Sequence, residues 1–245
     1  MSKKVINQNA NYDTEFLNSI GSNFIFSEKP INRTKNSKKD NKLKINNKIK
    51  QIDKEEELKK LRTQIQLIEN CVLKKNSIQL VLGDGNINSS IMLISEAPGI
   101  EEDKTGKTFM GETGVILKKM LLAIDIKKEN IYSTYAVNFR PPSDRKPTTN
   151  EIKRYSQFLQ KHISIIRPKI IILMGSTAME SITGLNSKIS AERGKWKEII
   201  VQNTSYPVII TFNPSYLLRV PENKKYSWED LKKIKQKITD IDLKI

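Results

Sequence analysis

The sequence predicts an α/β fold with three layers, in which helices cover both faces of a central, mostly parallel sheet of four to five strands. Three apolar runs, at residues 91–94, 170–174 and 208–212, have the length and composition of fully buried strands. Each run is followed within a few residues by Gly or Pro. The segments between the runs repeat apolar residues at helical spacing. Strands and helices that alternate in this way form parallel sheets.

The charged N-terminal part sets the predicted domain organisation. The chain has 245 residues and a formal charge of +16, enough for one medium domain with an extension. We predict an N-terminal segment over 1–28 with one short docked helix, a basic disordered linker over 29–54, and one folded domain over 55–245. Residues 29–50 carry nine Lys/Arg and one acid, which suits either an arm that neutralises phosphates or a solvated linker.

Composition also bounds partners and location. A high positive charge suits nucleic acid, although a chain rich in Lys, Ile and Asn is also typical of an AT-biased genome. The single cysteine, Cys71, leaves no disulfide within the chain and fits a reducing cytosol. We find no signal-peptide core and no apolar run near the roughly 20 residues that a membrane span needs. The predicted protein is cytoplasmic and monomeric, without a membrane partner.

The first predicted elements precede the run at 91–94. A helix over 54–73 has one apolar face, formed by Leu58, Leu61, Ile65, Ile68 and Val72. Residues 79–82 read as a short strand, and the GDGN sequence at 83–86 as a turn. After the run at 91–94, a polar loop with several glycines leads into a helix over 115–124.

The second half repeats this alternation. A strand over 131–137 runs into a stiff basic loop with three prolines at 138–147. Thr148 and Glu151 form a capping box for a helix whose apolar face includes His162, the only histidine; a packed core role is far more common there than catalysis. A helix over 176–182, a turn at 193–196 into a hairpin strand, and a last helix capped by Ser227 and Asp230 complete the chain.

Two polar loops at strand ends predict a site. Glu96 follows the run at 91–94, and Asn213 follows the run at 208–212. Ligands gather at the carboxyl ends of strands in open α/β sheets. If the two strands are neighbours, Glu96 and Asn213 face each other across one crevice. The competing interpretation is a solvated glutamate, or one that is paired with Arg193 or Lys107.

Five ordered motifs over roughly residues 56–240 resemble the uracil-DNA glycosylase superfamily, and its family-4 bacterial and archaeal members in particular. They are EAPG at 96–99, ED at 102–103, GKTFMGETG at 106–114, RPPSDRKP at 140–147 and NPSYLLRVP at 213–221. The resemblance implies that family's fold and an enzyme of base excision repair. Such an enzyme flips a deaminated base, uracil first, out of damaged DNA and hydrolyses its N-glycosidic bond.

The resemblance also implies residue roles. Glu96 would stabilise the oxocarbenium ion or activate water, and Asn213 would donate to the departing base. Phe109 would stack on the flipped base, in a pocket lined by Ala97, Pro98, Gly99 and Tyr135. The implied DNA contacts come from the basic loop and from the motif after Asn213: Arg140, Arg145, Lys146, Ser215, Leu217, Leu218 and Arg219.

The chain departs from the family in three respects. Asn213 replaces a histidine, although the mismatch-specific branch also has NPS here. Tyr135 replaces the asparagine that reads uracil, and a phenol cannot mimic a side-chain amide; Asn138 would point to the opposite face. The reactive base is therefore open among uracil, hypoxanthine and xanthine.

The third departure concerns the iron–sulfur cluster of family 4. Four thiolates hold such a cluster, and this chain retains only Cys71, with Lys74, Phe139 and Tyr155 at the other positions. We expect neither a cluster nor any other metal.

Two other functions stay open. One is a non-catalytic DNA- or lesion-binding relative, in which Tyr135 fills the pocket. An open cavity between Phe109, Tyr135 and Asn213 would favour catalysis, and an occluded one would favour binding alone. The other is a small-molecule enzyme such as a phosphoesterase, which fits the fold class but has no motif behind it.

Overall fold

The structure is a computed structural model of the chain, and it describes residues 53–243. The predicted segment over 1–28 and all but the last two residues of the predicted linker lie outside the described residues. The extent of the folded domain, 55–245, stays a prediction.

A six-stranded sheet forms the centre of the fold. Its strands, in chain order, are β1 Asp84–Gly85, β2 Ile91–Ser95, β3 Tyr132–Tyr135, β4 Ile170–Met174, β5 Trp196–Val201 and β6 Thr204–Thr211. They lie in the order β1-β3-β2-β4-β6-β5. The four inner strands are parallel, and both edge strands pair antiparallel. The predicted α/β class with a mostly parallel sheet is confirmed, with six strands in place of four to five.

Helices cover both faces of the sheet. They are α1 Lys54–Gln66, α2 Val72–Asn76, α3 Ile100–Thr105, α4 Gly111–Leu122, α5 Thr149–Ile166, α6 Ser176–Thr183, α7 Ile189–Glu192, α8 Pro214–Arg219 and α9 Lys224–Asp240. Single 3₁₀ turns lie at Lys128–Asn130, Pro142–Asp144 and Pro221–Asn223. None of the helices within residues 53–243 combines the length and apolar character of a membrane span.

Alternation along the inner strands builds two cores. Met92 and Ile94 pack into one core with residues of α1, α5 and α6. Ile91 and Leu93, on the opposite face, pack into a second core with residues of α4 and α9. All four side chains are fully buried, because successive residues of a strand point to opposite faces and both faces are covered. This accounts for the predicted three layers.

Four local predictions are wrong. The helix predicted over 54–73 ends at Gln66, and a separate helix starts at Val72, whose side chain is exposed. Residues 79–82 form no strand, and the predicted turn instead contains β1. Ser227 and Asp230 do not cap the last helix, which begins at Lys224. Both are buried inside that helix, and Asp230 serves in an ion pair instead.

His162 is a packed core residue, as interpreted from its position on the apolar face of α5. Its Nε2 lies 2.8 Å from the Tyr132 hydroxyl, and the two rings meet edge to face. Burial lowers the pKa of His162 to about 3, so the imidazole is neutral at physiological pH. The capping box of Thr148 and Glu151 at the start of α5 is also present.

The strands that carry Glu96 and Asn213 are not neighbours. β4 lies between β2 and β6, so the condition set for a shared crevice does not hold. All three strands are parallel, however, and their carboxyl ends therefore reach the same edge of the sheet. The loop after β4 decides whether the two side chains can meet.

Candidate active site

An open cleft of about 570 Å³ lies at the carboxyl ends of the inner strands. Loops after β2, β3, β4 and β6 form its walls. The predicted site residues that line it are Glu96, Ala97, Pro98, Gly99, Phe109, Tyr135, Arg145, Lys146, Asn213, Ser215 and Arg219. Of the predicted set, Arg140, Leu217 and Leu218 are not part of its lining. Its volume is in the range of ligand pockets, about 300–1,000 Å³.

The Glu96 carboxylate is oriented by three donors. Its Oε1 accepts hydrogen bonds from the Thr177 amide at 3.0 Å and the Ser176 hydroxyl at 3.3 Å. Its Oε2 accepts from Asn213 Nδ2 at 3.1 Å. Each of the first two donors lies in the first turn of α6. The alternative pairing with Arg193 is wrong, since the Arg193 guanidinium binds Asp230.

Gly175 explains how Glu96 and Asn213 meet across β4. It follows β4 directly, with φ at +100°, and an added Cβ would lie 2.4 Å from the Glu96 Cδ. A residue with a side chain would therefore occupy the space that Glu96 fills. Glycine is also the residue that adopts this backbone conformation readily.

The side-chain amide of Asn213 uses its oxygen and both of its N–H groups in hydrogen bonds within the protein. It is the N-cap of α8, where its Oδ1 accepts from the Ser215 amide at 3.0 Å. Its Nδ2 donates to Glu96 and also to the Ser95 hydroxyl at 3.0 Å. A side-chain amide has two N–H donors, and both are used. Asn213 therefore holds the carboxylate of Glu96 in place.

Phe109 lies in the wall of the cleft with an uncommon backbone. Its φ is +51°, in the left-handed region that bulky residues rarely adopt. Its amide donates to the Tyr135 hydroxyl at 3.0 Å, and its carbonyl accepts from Lys128 Nζ at 3.2 Å. The rings of Phe109 and Tyr135 are tilted against each other, with centroids 5.6 Å apart.

Tyr135 does not close the cleft. Its ring is buried in the wall, and its hydroxyl faces the Phe109 amide. Burial, and then the charge of Glu102, raise the pKa of Tyr135 well above its usual range, so the phenol keeps its proton. Asn138 is occupied elsewhere, because its Nδ2 donates to the carbonyls of Val81 and Leu82.

Two of the three predicted cations of the basic loop are paired. Arg140 binds Asp144 through two hydrogen bonds of 2.7 and 2.9 Å. Arg145 binds Glu151 in the same bidentate manner, at 2.7 and 2.8 Å. Within the described part of the chain, the ammonium of Lys146 has no hydrogen bond or ion pair. Lys146 therefore offers the more available charge for a phosphate.

The motif after Asn213 divides between core and surface. Leu217 is only 1% exposed and packs inside the protein, so its contact with DNA stays a prediction. Leu218 is half-buried, and Arg219 is exposed at the rim of the cleft. No hydrogen bond or ion pair engages the Arg219 side chain among residues 53–243.

Comparisons with known proteins identify the family. Residues 82–234 match the family model of the uracil DNA glycosylase superfamily. The chain is 37% identical over 168 residues to the type-4 uracil-DNA glycosylase of Thermotoga maritima, which covers 67% of this chain and 86% of that protein. It is 32% identical over 183 residues to the type-4 uracil-DNA glycosylase of Archaeoglobus fulgidus, with coverages of 73% and 92%. The chain belongs to the uracil-DNA glycosylase superfamily.

The superfamily assignment confirms the family that the motifs resembled, and with it the predicted class of enzyme, a DNA glycosylase. The structure adds site residues that the sequence did not reveal. Ser95, Ser176 and Thr177 hold the Glu96–Asn213 pair, and Glu102 bridges two loops by accepting from the amides of Gly99 and Met110. The glycine directly after the β4 run was the available signal for the α6 donors.

The four positions that the resemblance assigns to cluster ligands make other contacts in this structure. Cys71 Sγ lies 3.3 Å from the Tyr155 hydroxyl, and the Phe139 ring meets the Tyr155 ring edge to face. Lys74 donates instead to the carbonyls of Gln66 and Ile68. Three of the four predicted ligand positions thus form one packed group with a single thiol. These residues do not fit a cluster held by four thiolates. Residues 53–243 also contain no group of three or more His, Cys, Asp or Glu side chains that could hold a metal ion.

Proposed function

We propose that this protein is a DNA glycosylase that flips a deaminated base, uracil first, out of DNA and hydrolyses its N-glycosidic bond in base excision repair. One observation carries the proposal. The Glu96 carboxylate lies in an open cleft, in the same cavity as Phe109, and three donors fix its orientation. Relatives named type-4 uracil-DNA glycosylase support the substrate class.

The chemistry requires a base outside the helix. A base cannot be attacked while it is stacked, so the enzyme extrudes it into a pocket and reads it there. The cleft of about 570 Å³ has room for a base, and the Phe109 ring in its wall offers a stacking surface. Exposed cations at the rim, Lys146 and Arg219, would contact the phosphates that flank the flipped nucleotide.

Bond cleavage then separates charge. The sugar becomes an oxocarbenium ion, which the negative charge of Glu96 would stabilise, either directly or through the water that it orients. Preorganised groups are effective because they need no rearrangement during the reaction. The bonds from Ser176, Thr177 and Asn213 supply that preorganisation.

Asn213 has a narrower role than the one implied by the resemblance. Both of its amide hydrogens are used by Ser95 and Glu96. It could donate to the departing base only by releasing one of these partners. We therefore propose that Asn213 acts first as a positioning residue for Glu96, and that any bond to the base forms at the expense of Ser95.

The non-catalytic alternative required Tyr135 to fill the pocket. The hydroxyl of Tyr135 is turned to the Phe109 amide, and the cleft between Phe109, Tyr135 and Asn213 is open. By the criterion set from the sequence, this supports catalysis. The proposal includes a monomer that acts on damaged DNA in the cytoplasm without a membrane partner. The charge of +16 supports DNA as the partner, and the single cysteine supports a reducing compartment.

A glycosylase assay tests the proposal. Labelled duplexes that carry uracil, hypoxanthine or xanthine are incubated with the protein, and alkali then cleaves the strand at abasic sites. We expect cleavage of at least one duplex, lost in Glu96→Gln and kept in Glu129→Gln, which changes an exposed glutamate outside the cleft. Intact DNA in every lane, with tight and salt-sensitive binding, would contradict catalysis and favour a DNA-binding relative.

A further inference from the structure

We propose that Tyr135 and Lys128 are positioning residues that clamp the backbone of Phe109 from both sides, so that its ring stands ready as a fixed platform for the flipped base. This inference rests on the proposed function. It gives Tyr135 a role other than reading the base, which is the role that the corresponding asparagine has in the family.

The backbone of Phe109 needs external support. A bulky residue with a φ of +51° is strained, and such a conformation persists only when its surroundings over-determine it. Residues 106–110 belong to no helix or strand, so the support must come from other elements. The bonds to its amide and its carbonyl provide that support.

The clamp has two arms. On one side, the Tyr135 hydroxyl at the end of β3 accepts from the Phe109 amide at 3.0 Å. On the other side, Lys128 Nζ donates to the Phe109 carbonyl at 3.2 Å and to the Thr108 carbonyl at 3.1 Å. The Thr108 hydroxyl also lies 2.5 Å from the hydroxyl of Ser133 on β3. A sheet strand therefore fixes the platform at two successive residues.

Close packing removes the remaining freedom. A Cβ added to Gly114 would lie 2.0 Å from the Phe109 carbonyl oxygen, so the start of α4 presses directly on the same peptide. The residue Phe109 is only 3% exposed, and it lines the cleft. A ring that is fixed before DNA binds loses little conformational freedom on binding, which preserves the stacking energy.

The bond to Phe109 also limits the hydrogen bonds that the Tyr135 hydroxyl can make to a base. The hydroxyl oxygen already accepts from the Phe109 amide, and burial together with the charge of Glu102 raises the pKa of the phenol, so the hydroxyl keeps its proton. A phenol has one O–H donor. Tyr135 therefore lines the cleft with its ring and does not supply a hydrogen-bonding group that identifies the base.

The first test is independent of catalysis. Amide hydrogen exchange of Phe109 is followed by NMR in the full chain and in Tyr135→Phe and Lys128→Met. Loss of one hydrogen bond should accelerate exchange of the Phe109 amide about threefold to tenfold in Tyr135→Phe. The matched control is Tyr132→Phe, which removes an equally buried hydroxyl from the same strand, one that binds His162 rather than Phe109.

The second test uses kinetics on the uracil duplex. A platform contributes to binding of the flipped base in the ground state and the transition state alike, so KM should rise about threefold to tenfold in both variants with kcat within about twofold. The controls Tyr132→Phe and Lys127→Met should leave both constants unchanged. An unchanged Phe109 exchange rate in Tyr135→Phe, or an unchanged KM in an active enzyme, would overturn the inference. A wild-type protein that cleaves no duplex would instead overturn the proposed function, and the exchange result would still report on the clamp.

Discussion

Asn213 donates a hydrogen bond of 3.1 Å to the Glu96 carboxylate, although a whole strand separates the two strands that carry these residues. The contact is possible because the loop after β4 begins with Gly175, which has no side chain to stand between them. A second bond ties Asn213 to Ser95, the residue before Glu96. The pair is thus one unit, in which the amide fixes the carboxylate.

Replacement of Asn213 by Asp should lower the cleavage rate more than replacement by Ala. An aspartate would place a second carboxylate about 3 Å from Glu96, and two such groups cannot both ionise. Asn213→Ala removes the same support without adding charge, and should lower kcat about a hundredfold, as loss of a preorganised donor does. Single-turnover rates on the uracil duplex measure both effects. Equal rates for the two variants would contradict the pairing.

Substitutions at two glycines distinguish a steric clash with Glu96 from the cost of a positive φ alone. Gly175 and Gly184 flank α6 and have φ of +100° and +69°, but only Gly175 has Glu96 within reach of an added Cβ. Gly184→Ala should destabilise the protein by about 1 kcal/mol and keep its activity. Gly175→Ala should displace Glu96 and abolish cleavage. Urea unfolding and the glycosylase assay check the pair, and an active Gly175→Ala variant would contradict the argument.

The fold was more predictable from the sequence than the site. Apolar runs such as 170–174 predict inner strands, because both faces of a parallel sheet are covered. The two-residue strand β1 has no such run, and the GDGN sequence that contains it predicts a turn instead. Asp230 looked like a cap because Asp favours caps. Its actual partners, Arg193 and Thr211, are distant in the chain, and no local pattern encodes them.

Among the site residues, the sequence located Glu96 and Asn213, which follow apolar runs within two residues. It did not reveal that Ser176 and Thr177 would orient the carboxylate, since their contact with Glu96 depends on strand order. The pairing of Arg140 with Asp144 and of Arg145 with Glu151 was equally hidden. A count of cations in a loop says nothing about which of them are already neutralised.

Lys146 and Arg219 should contribute more to DNA affinity than Arg140. Among residues 53–243 the side chains of Lys146 and Arg219 have no hydrogen bond or ion pair, whereas Arg140 is held by Asp144 through two bonds. Lys146→Ala and Arg219→Ala should each reduce the slope of log affinity against log salt by about 1. Arg140→Ala should change that slope less. Fluorescence anisotropy on one duplex from low to moderate salt measures all three, and the largest change in Arg140→Ala would contradict this ranking.

Protein purified without added iron should carry no stoichiometric iron and should keep full glycosylase activity. The group around Cys71, Phe139 and Tyr155 is closed by packing and by the contact between thiol and phenol, so it needs no cluster to hold α5 against the loop before it. Metal analysis and the visible absorption spectrum give the readout. Four irons per chain, or activity that depends on iron in the culture, would contradict this prediction.

The stability of the protein should fall as the pH is lowered from 7 to 5, chiefly because of His162. Burial lowers the pKa of His162 to about 3 in the folded state, whereas an unfolded histidine has a pKa of about 6.5. Below pH 6.5 the unfolded chain therefore binds a proton that the folded chain does not. Stability rises with pH wherever the unfolded state binds more protons, so the free energy of unfolding decreases on acidification.

The expected loss between pH 7 and pH 5 is about 2 kcal/mol, from the fraction of unfolded chains that become protonated. The chain contains one histidine, and ordinary carboxylates titrate mostly below this range, so His162 should account for most of the slope. Burial raises the pKa of Asp230, which acts in the opposite direction. Urea unfolding at pH 7, 6 and 5 measures the slope. His162→Gln keeps an acceptor for the Tyr132 hydroxyl and should flatten the pH dependence. The same slope in that variant would mean that another group, and not the buried imidazole, takes up the proton.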